Sequence, residues 1–266
     1  MSVVVPGRTA EEERLAPVTA ALSAVRNLSG LAPGLVVRDE TGWVPATWLT
    51  DGSLTGELLD AARVRWQASP HAAAALAFKS YAYWLALPSV IGWVRALQVP
   101  LTHPADVLVR AEGPGRFDVI GLRPSVTVAV PPYGAPAPLP GGVRVVRDEA
   151  ALLEALRSSL LDAHLVPMIE AIQDRVRISR RALLGSIASG VANGILRAAE
   201  TLPGALVERH VRTALEVLDI ADLIELVRGP YGEPGVRRRT CCLQFTVPHG
   251  TACASCCIRH QEALCD

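Results

Sequence analysis

All six cysteines of the chain, Cys241, Cys242, Cys253, Cys256, Cys257 and Cys265, fall within its last 26 residues, and the preceding 240 contain none. A disulfide framework spreads its cysteines to staple distant loops, so this crowding points to a local metal site instead. Cys253 and Cys256, separated by two residues, can grip one centre from a single turn. The adjacent Cys241 and Cys242 diverge, which suits a centre larger than one small ion. Soft sulfur donors favour iron–sulfur clusters, zinc and copper(I) over hard cations. Four thiolates complete a [2Fe–2S] site and equally a structural zinc site, and spacing alone leaves both open. Spacing does not say which four of the six serve, and Cys257, next to Cys256, could take its place. His249 and His260 flank the set. Three arginines, Arg237, Arg238 and Arg239, lead into it.

Little else in the chain announces chemistry. No phosphate loop, dinucleotide fingerprint or HExxH helix is present, so electrons for any redox reaction must come from outside the chain. The charge balance is 26 basic against 26 acidic residues, which argues against a nucleic-acid binder. Lys79 is the single lysine, a feature that composition bias toward arginine explains. The apolar stretch 80–94 is interrupted by Pro88 and is shorter than the roughly 20 residues of a membrane span. A buried helix is expected there. No secretory signal is visible at the start, so a cytoplasmic protein is expected, with a peripheral position at the inner face of the membrane left open.

The elements that must position the cysteines are mostly helical. Thr9–Asn27 reads as a helix with Glu11, Glu12 and Glu13 in its first turn, where the helix dipole favours them. Leu35–Arg38 and Trp43–Thr47 read as a hairpin, and Asp51–Ala68 as a helix. Pro70–Gln98 reads as a long helix bent at Pro88, with Tyr81, Tyr83, Trp84 and Trp93 in the core. Strands are expected over 105–112, 117–123, 125–130 and 143–147, with a proline-rich linker over 131–142. A helix follows along Leu153, Leu156, Leu160, Leu165, Ile169, Ile172 and Val176, bent at Pro167. Ser179 caps a helix through Ala199, unusually slim because of Gly185, Ser186, Ala188, Ser189, Gly190, Ala192 and Gly194, and therefore central. Helices over 205–218 and 221–228 complete the pattern. The expected fold is helix-dominated α+β, with small antiparallel sheet elements in the first half. Residues 1–142 form an α+β part and 143–266 a helical part ending in the tail 237–266, either as two units or as one continuous domain.

The tail pattern Cys-Cys-x10-Cys-x2-Cys resembles that of the FhuF-like ferric siderophore reductases, a family related to the C-terminal domain of the IucA and IucC siderophore synthetases. Residues 72–99 look like that family's long aromatic helix. Ser179-Arg180-Arg181-Ala182-Leu183-Leu184-Gly185 is similar to its Arg-Leu-Trp-Gly segment, with Leu184 where tryptophan is usual. The likeness covers most of residues 70–266. It implies a [2Fe–2S] cluster on Cys241, Cys242, Cys253 and Cys256, and one-electron reduction of an Fe(III)-siderophore, hydroxamate types being preferred by analogy. The electron would come from a ferredoxin or an NAD(P)H-dependent reductase. Arg180, Arg181, Arg237, Arg238 and Arg239 are candidates for docking substrate or donor. The competing reading is a non-redox siderophore-binding protein with zinc in its tail.

Overall fold

The computed structural model describes residues 9–113, 116–135, 137–200, 202–229, 231–253 and 255–258. Helix takes up 52% of the chain, and the strands are short, so the fold is helix-dominated α+β. Helix α1 (Ala10–Ser23) starts on Thr9, whose hydroxyl accepts from the Glu12 amide while the Glu12 carboxylate accepts from the Thr9 amide. This reciprocal box satisfies two amides that a helix start leaves open.

Strands β1 (Leu31–Val36) and β2 (Trp43–Pro45) follow, then the short α2 (Thr47–Thr50), α3 (Thr55–Trp66) and α4 (Pro70–Ala96). The expected hairpin between the first two strands does not form. The four-stranded sheet has the order β1-β5-β4-β2, with β4 at Val107–Arg110 and β5 at Ile120–Leu122, so the two supposed arms lie at its opposite edges. A tight turn does close at residues 40–43, where the Trp43 amide meets the Glu40 carbonyl. Its flanking chains, however, pair elsewhere: β1 runs parallel to β5, and β2 antiparallel to β4. A second sheet orders β3 (Val99–Pro100), β6 (Val128–Val130) and β7 (Val143–Val145), with β6 and β7 parallel. The small sheets are therefore mixed, not purely antiparallel.

Helix α4 runs unbroken through Pro88, and its residues 85–93 are buried. No helix among the described residues is long and apolar enough to cross a membrane. The stripe from Leu153 to Ile172 is divided among α5 (Glu149–Leu156), a π-helical stretch (Arg157–Leu165) and α6 (Val166–Gln173). The wider winding ends just before Pro167, whose ring would crowd the carbonyl four residues back in a regular α-helix. Inside this stretch His164 is fully buried: its Nδ1–H donates to the Thr102 carbonyl at 2.7 Å, and its Nε2 accepts from the Tyr81 hydroxyl at 2.7 Å. Burial lowers the His164 pKa to about 4, and burial also raises that of Tyr81.

Helix α7 (Arg180–Ala198) lies at the centre, packed chiefly on α4. Its small residues allow that approach: a Cβ on Gly190 would stand 3.2 Å from the Tyr83 Cα, and one on Gly185 only 1.9 Å from the Thr240 hydroxyl. Helix α8 (Gly204–Val217) follows. The expected helix over 221–228 is instead a short 3-10 turn at Ala221–Leu223 and strand β8 (Ile224–Arg228). That strand pairs antiparallel with β9 (Pro234–Arg238), with Ile224 opposite Arg238 and Glu225 opposite Arg237. A five-residue run gives little helical periodicity to test, and the cross-strand partner decides it. Buried side chains from Leu15 to Val236 form the main core.

Candidate metal centre

Strand β9 delivers the tail to the centre of the molecule. The Arg238 amide donates to the Ser255 carbonyl at 2.9 Å, and the Arg239 amide to the Leu223 carbonyl at 2.9 Å. The first of these bonds folds the cysteine loop back onto the strand. Thr240 then sits against Gly185 of α7, so the position just before Cys241 is fixed by a helix that has no side chain there. Leu243 and His249 take left-handed backbone angles, and a 3-10 turn at Gln244–Thr246 separates them. A final turn, with the Cys256 amide on the Cys253 carbonyl at 3.0 Å, brings that pair together.

The five described cysteines are all free thiols, with Cys242 and Cys256 buried and Cys241, Cys253 and Cys257 half-buried. Cys265 and His260 lie outside the described residues. Cys242 and Cys253 share a hydrogen bond, which raises the Cys242 pKa to about 12 and lowers that of Cys253 to about 5. In other words, one proton serves two sulfurs. Cys257 is raised by burial first and then by the nearby Cys241 and Cys256. The Cys241 sulfur accepts from the Leu243 amide at 3.3 Å. Among the described residues no three histidine, cysteine, aspartate or glutamate side chains are grouped to hold one metal ion. A zinc ion needs its donors around a single point, whereas a two-iron cluster takes its thiolates two to an iron.

A second observation tests the fit. Arg238 is only 2% exposed, and its Nε and Nη1 have no hydrogen-bond partner. Its Nη2 donates to the Ser186 hydroxyl at 3.0 Å. Its charge acts on Cys242 and Cys257. An unpaired buried guanidinium is costly, by several kcal/mol, unless an anion offsets it. A centre ligated by four thiolates carries net negative charge and would supply that anion, so the donor set and the orphaned donors fit the same group.

The five arginines of the sequence reading do not gather. Arg238 faces inward, unlike a docking residue on the surface. Arg237 pairs across the hairpin with Glu225. Arg181 pairs with Asp222 at 2.7 Å, Arg180 lies 3.5 Å from Glu170, and Arg239 is exposed.

Beside the cysteines opens a cavity of about 790 Å³ between α4, α7 and the loop. Helix α4 contributes Leu76, Lys79, Ser80, Tyr83 and Trp84, and α7 contributes Ser186, Ser189, Gly190, Asn193 and Arg197. The loop adds Gln244, His249 and Cys253. Of the four aromatics expected in the core, Tyr81 and Trp93 are buried there, while Tyr83 and Trp84 are half-buried and line this cavity. The sequence reading missed the cavity and Lys79 in it. A usable signal was present: residues 76, 79, 80 and 83 recur on one helical face, and polar groups interrupt an otherwise apolar helix there.

A helix-dominated α+β protein that closes a thiol centre with its own C-terminal tail is the class that fold and site define. Residues 238–257 match the family model described as the FhuF 2Fe-2S C-terminal domain. The match spans 20 of the 266 residues, all in the cysteine tail, and the domain it describes is a 2Fe-2S one, which supports an iron–sulfur cofactor there. No curated protein matches the chain.

Proposed function

We propose that this protein is a ferric siderophore reductase of the cytoplasm, holding a [2Fe–2S] cluster on Cys241, Cys242, Cys253 and Cys256. One observation carries the reading: Cys253, inside the segment of the family match, lines a cavity of about 790 Å³, roomy enough for a bulky chelate. Its volume is near the upper end of the range for small-molecule sites. A [2Fe–2S] cluster held there would supply single electrons at low potential. The chain's own residues do the rest. Cys253 lines the cavity itself, so a chelate seated there lies against a ligand of the cluster. Trp84 and Tyr83 offer flat apolar walls, and Arg197, fixed by the Tyr83 hydroxyl and the Arg26 and Asn27 carbonyls, closes one side. Fe(III) in hard oxygen donors is held far more tightly than Fe(II), so one electron frees the metal and spares the chelator. A ferredoxin or an NAD(P)H-dependent reductase would restore the electron, docking through the exposed Arg239 and its neighbours.

Protein isolated without oxygen should be coloured, and its absorption between about 400 and 600 nm should bleach on reduction, as all-thiolate clusters do. Electron paramagnetic resonance of the reduced form should show a signal that Cys242→Ser abolishes together with ferric-chelate reduction. Colourless protein with stoichiometric zinc would sink the reading in favour of a structural metal.

A further inference from the structure

Lysine is a rarity in this chain: Lys79 is the only one among 26 basic residues. The fold brings it to the boundary between the cysteine centre and the cavity. From α4 its Nζ reaches Gln244 Oε1 at 2.7 Å and the Cys242 sulfur at 3.7 Å, and its side chain also lines the cavity. An ammonium carries three donors. Two are accounted for by these contacts, and the third has no partner among the described residues. The other cavity cation, Arg197, is taken up by Tyr83 and by two backbone carbonyls.

Resting on the reductase reading, we propose that Lys79 is the residue that seats the chelate. Its free N–H binds a negatively charged oxygen donor of an Fe(III) chelate, while its other donors stay on Gln244 and the Cys242 sulfur. The arrangement solves an electrostatic problem. Thiolate-bound iron is anionic, and the oxygen donors of a siderophore keep partial negative charge even where Fe(III) makes the whole chelate neutral, so the facing surfaces repel each other when brought together for transfer. One positive charge between them offsets that repulsion at both surfaces. A compact ammonium on a flexible stem suits the task better than a planar guanidinium, which would need more room beside the sulfur. The same charge favours the more negative, reduced state of the centre, because potentials of such centres follow nearby charge and hydrogen bonds to sulfur. The electron balance is simple. The reduced centre loses one electron, Fe(III) gains it to become Fe(II), and an external one-electron donor restores the centre.

The test uses the full chain, isolated without oxygen, in wild-type, Lys79→Met and Lys79→Arg forms. Titration calorimetry with a gallium(III) trihydroxamate, which cannot be reduced, reads seating without turnover. Hydrogen bonds to charged groups are among the stronger ones, so Lys79→Met should weaken binding at least tenfold, and Lys79→Arg should recover part of the loss. A redox titration should place the centre of Lys79→Met lower by at least a tenfold change in the reduction equilibrium, about 59 mV for one electron. Unchanged gallium-chelate binding in Lys79→Met overturns the proposal, as does absence of binding to the wild type. If Lys79→Met is colourless on isolation, gallium-chelate binding alone decides between these outcomes. Failure of the reductase reading looks different: wild-type protein carries no redox-active centre, whatever Lys79 does to gallium-chelate binding.

Discussion

Gly185→Ala is the sharpest perturbation of the way α7 carries the cysteine loop. A Cβ at that position would stand 1.9 Å from Thr240 Oγ1 and 2.9 Å from both Thr240 Cβ and Cγ2. Turning the threonine side chain removes the hydroxyl contact but leaves the one at its own Cβ. Since carbon atoms pack at about 3.5–4.0 Å, the backbone at residue 240 must retreat by roughly half an ångström or more. Overpacking of this kind costs about 1–3 kcal/mol. Alanine recovers about 0.8–1 kcal/mol of helix propensity. The net loss of global stability is therefore small, about 0–2 kcal/mol, and the melting temperature should fall by only a few degrees. The sensitive readout is elsewhere. Thr240 is bonded to Cys241, and metal–ligand distances tolerate only about 0.2 Å. Iron per chain after anaerobic isolation should thus fall several-fold while circular dichroism stays native. Adding Thr240→Gly removes all three clashing atoms and should restore iron. Full iron loading in Gly185→Ala would show that residue 240 does not set the position of Cys241.

Three further outcomes are expected. His164 stays neutral in the fold, with its pKa held down to about 4 by burial, whereas the unfolded chain takes up a proton near pH 6.5. Stability should therefore be full above pH 6.5 and fall as pH drops from 6.5 to 4, by roughly 3 kcal/mol in urea titrations, and His164→Gln should flatten that slope. Arg238→Met removes a buried unpaired charge, so the metal-free protein should melt at a higher temperature while iron retention drops; a lower melting temperature would refute the account of its orphaned donors. Arg239→Glu should slow electron uptake from an acidic ferredoxin several-fold at low salt and leave reduction by dithionite unchanged, with the difference vanishing at high ionic strength.

What could be seen in the sequence follows from how local each signal is. The acidic first turn of α1, the slim face of α7 and the crowded cysteines are all written within a few residues, and the structure contains each of them. Strand pairing is not local. Nothing within residues 31–45 says that β1 will seek β5 and β2 will seek β4, and a turn signal at Asp39-Glu40-Thr41-Gly42 made the wrong pairing look natural. The cavity was harder to read for the same reason, since its walls come from α4, α7 and the loop, which lie far apart along the chain.

The arginine run shows how one missed element redistributes roles. Taken as a solvated lead into the loop, Arg237, Arg238 and Arg239 are interchangeable charges. Placed on the end of a strand, neighbouring side chains alternate between faces. Arg237 then meets Glu225 on the hairpin partner, Arg239 points to solvent, and Arg238 turns under the cysteines toward Ser186. The strand was misread because its partner, residues 224–228, was taken for helix; once β8 is in place, the alternation follows without further information. The same step separates two kinds of positive charge at the centre. Arg238 is walled in, so it can act only on the sulfurs, whereas Lys79 faces both sulfur and cavity and can act on whatever the cavity holds. Retention of iron and seating of a chelate should accordingly fail independently, the first in Arg238→Met and the second in Lys79→Met.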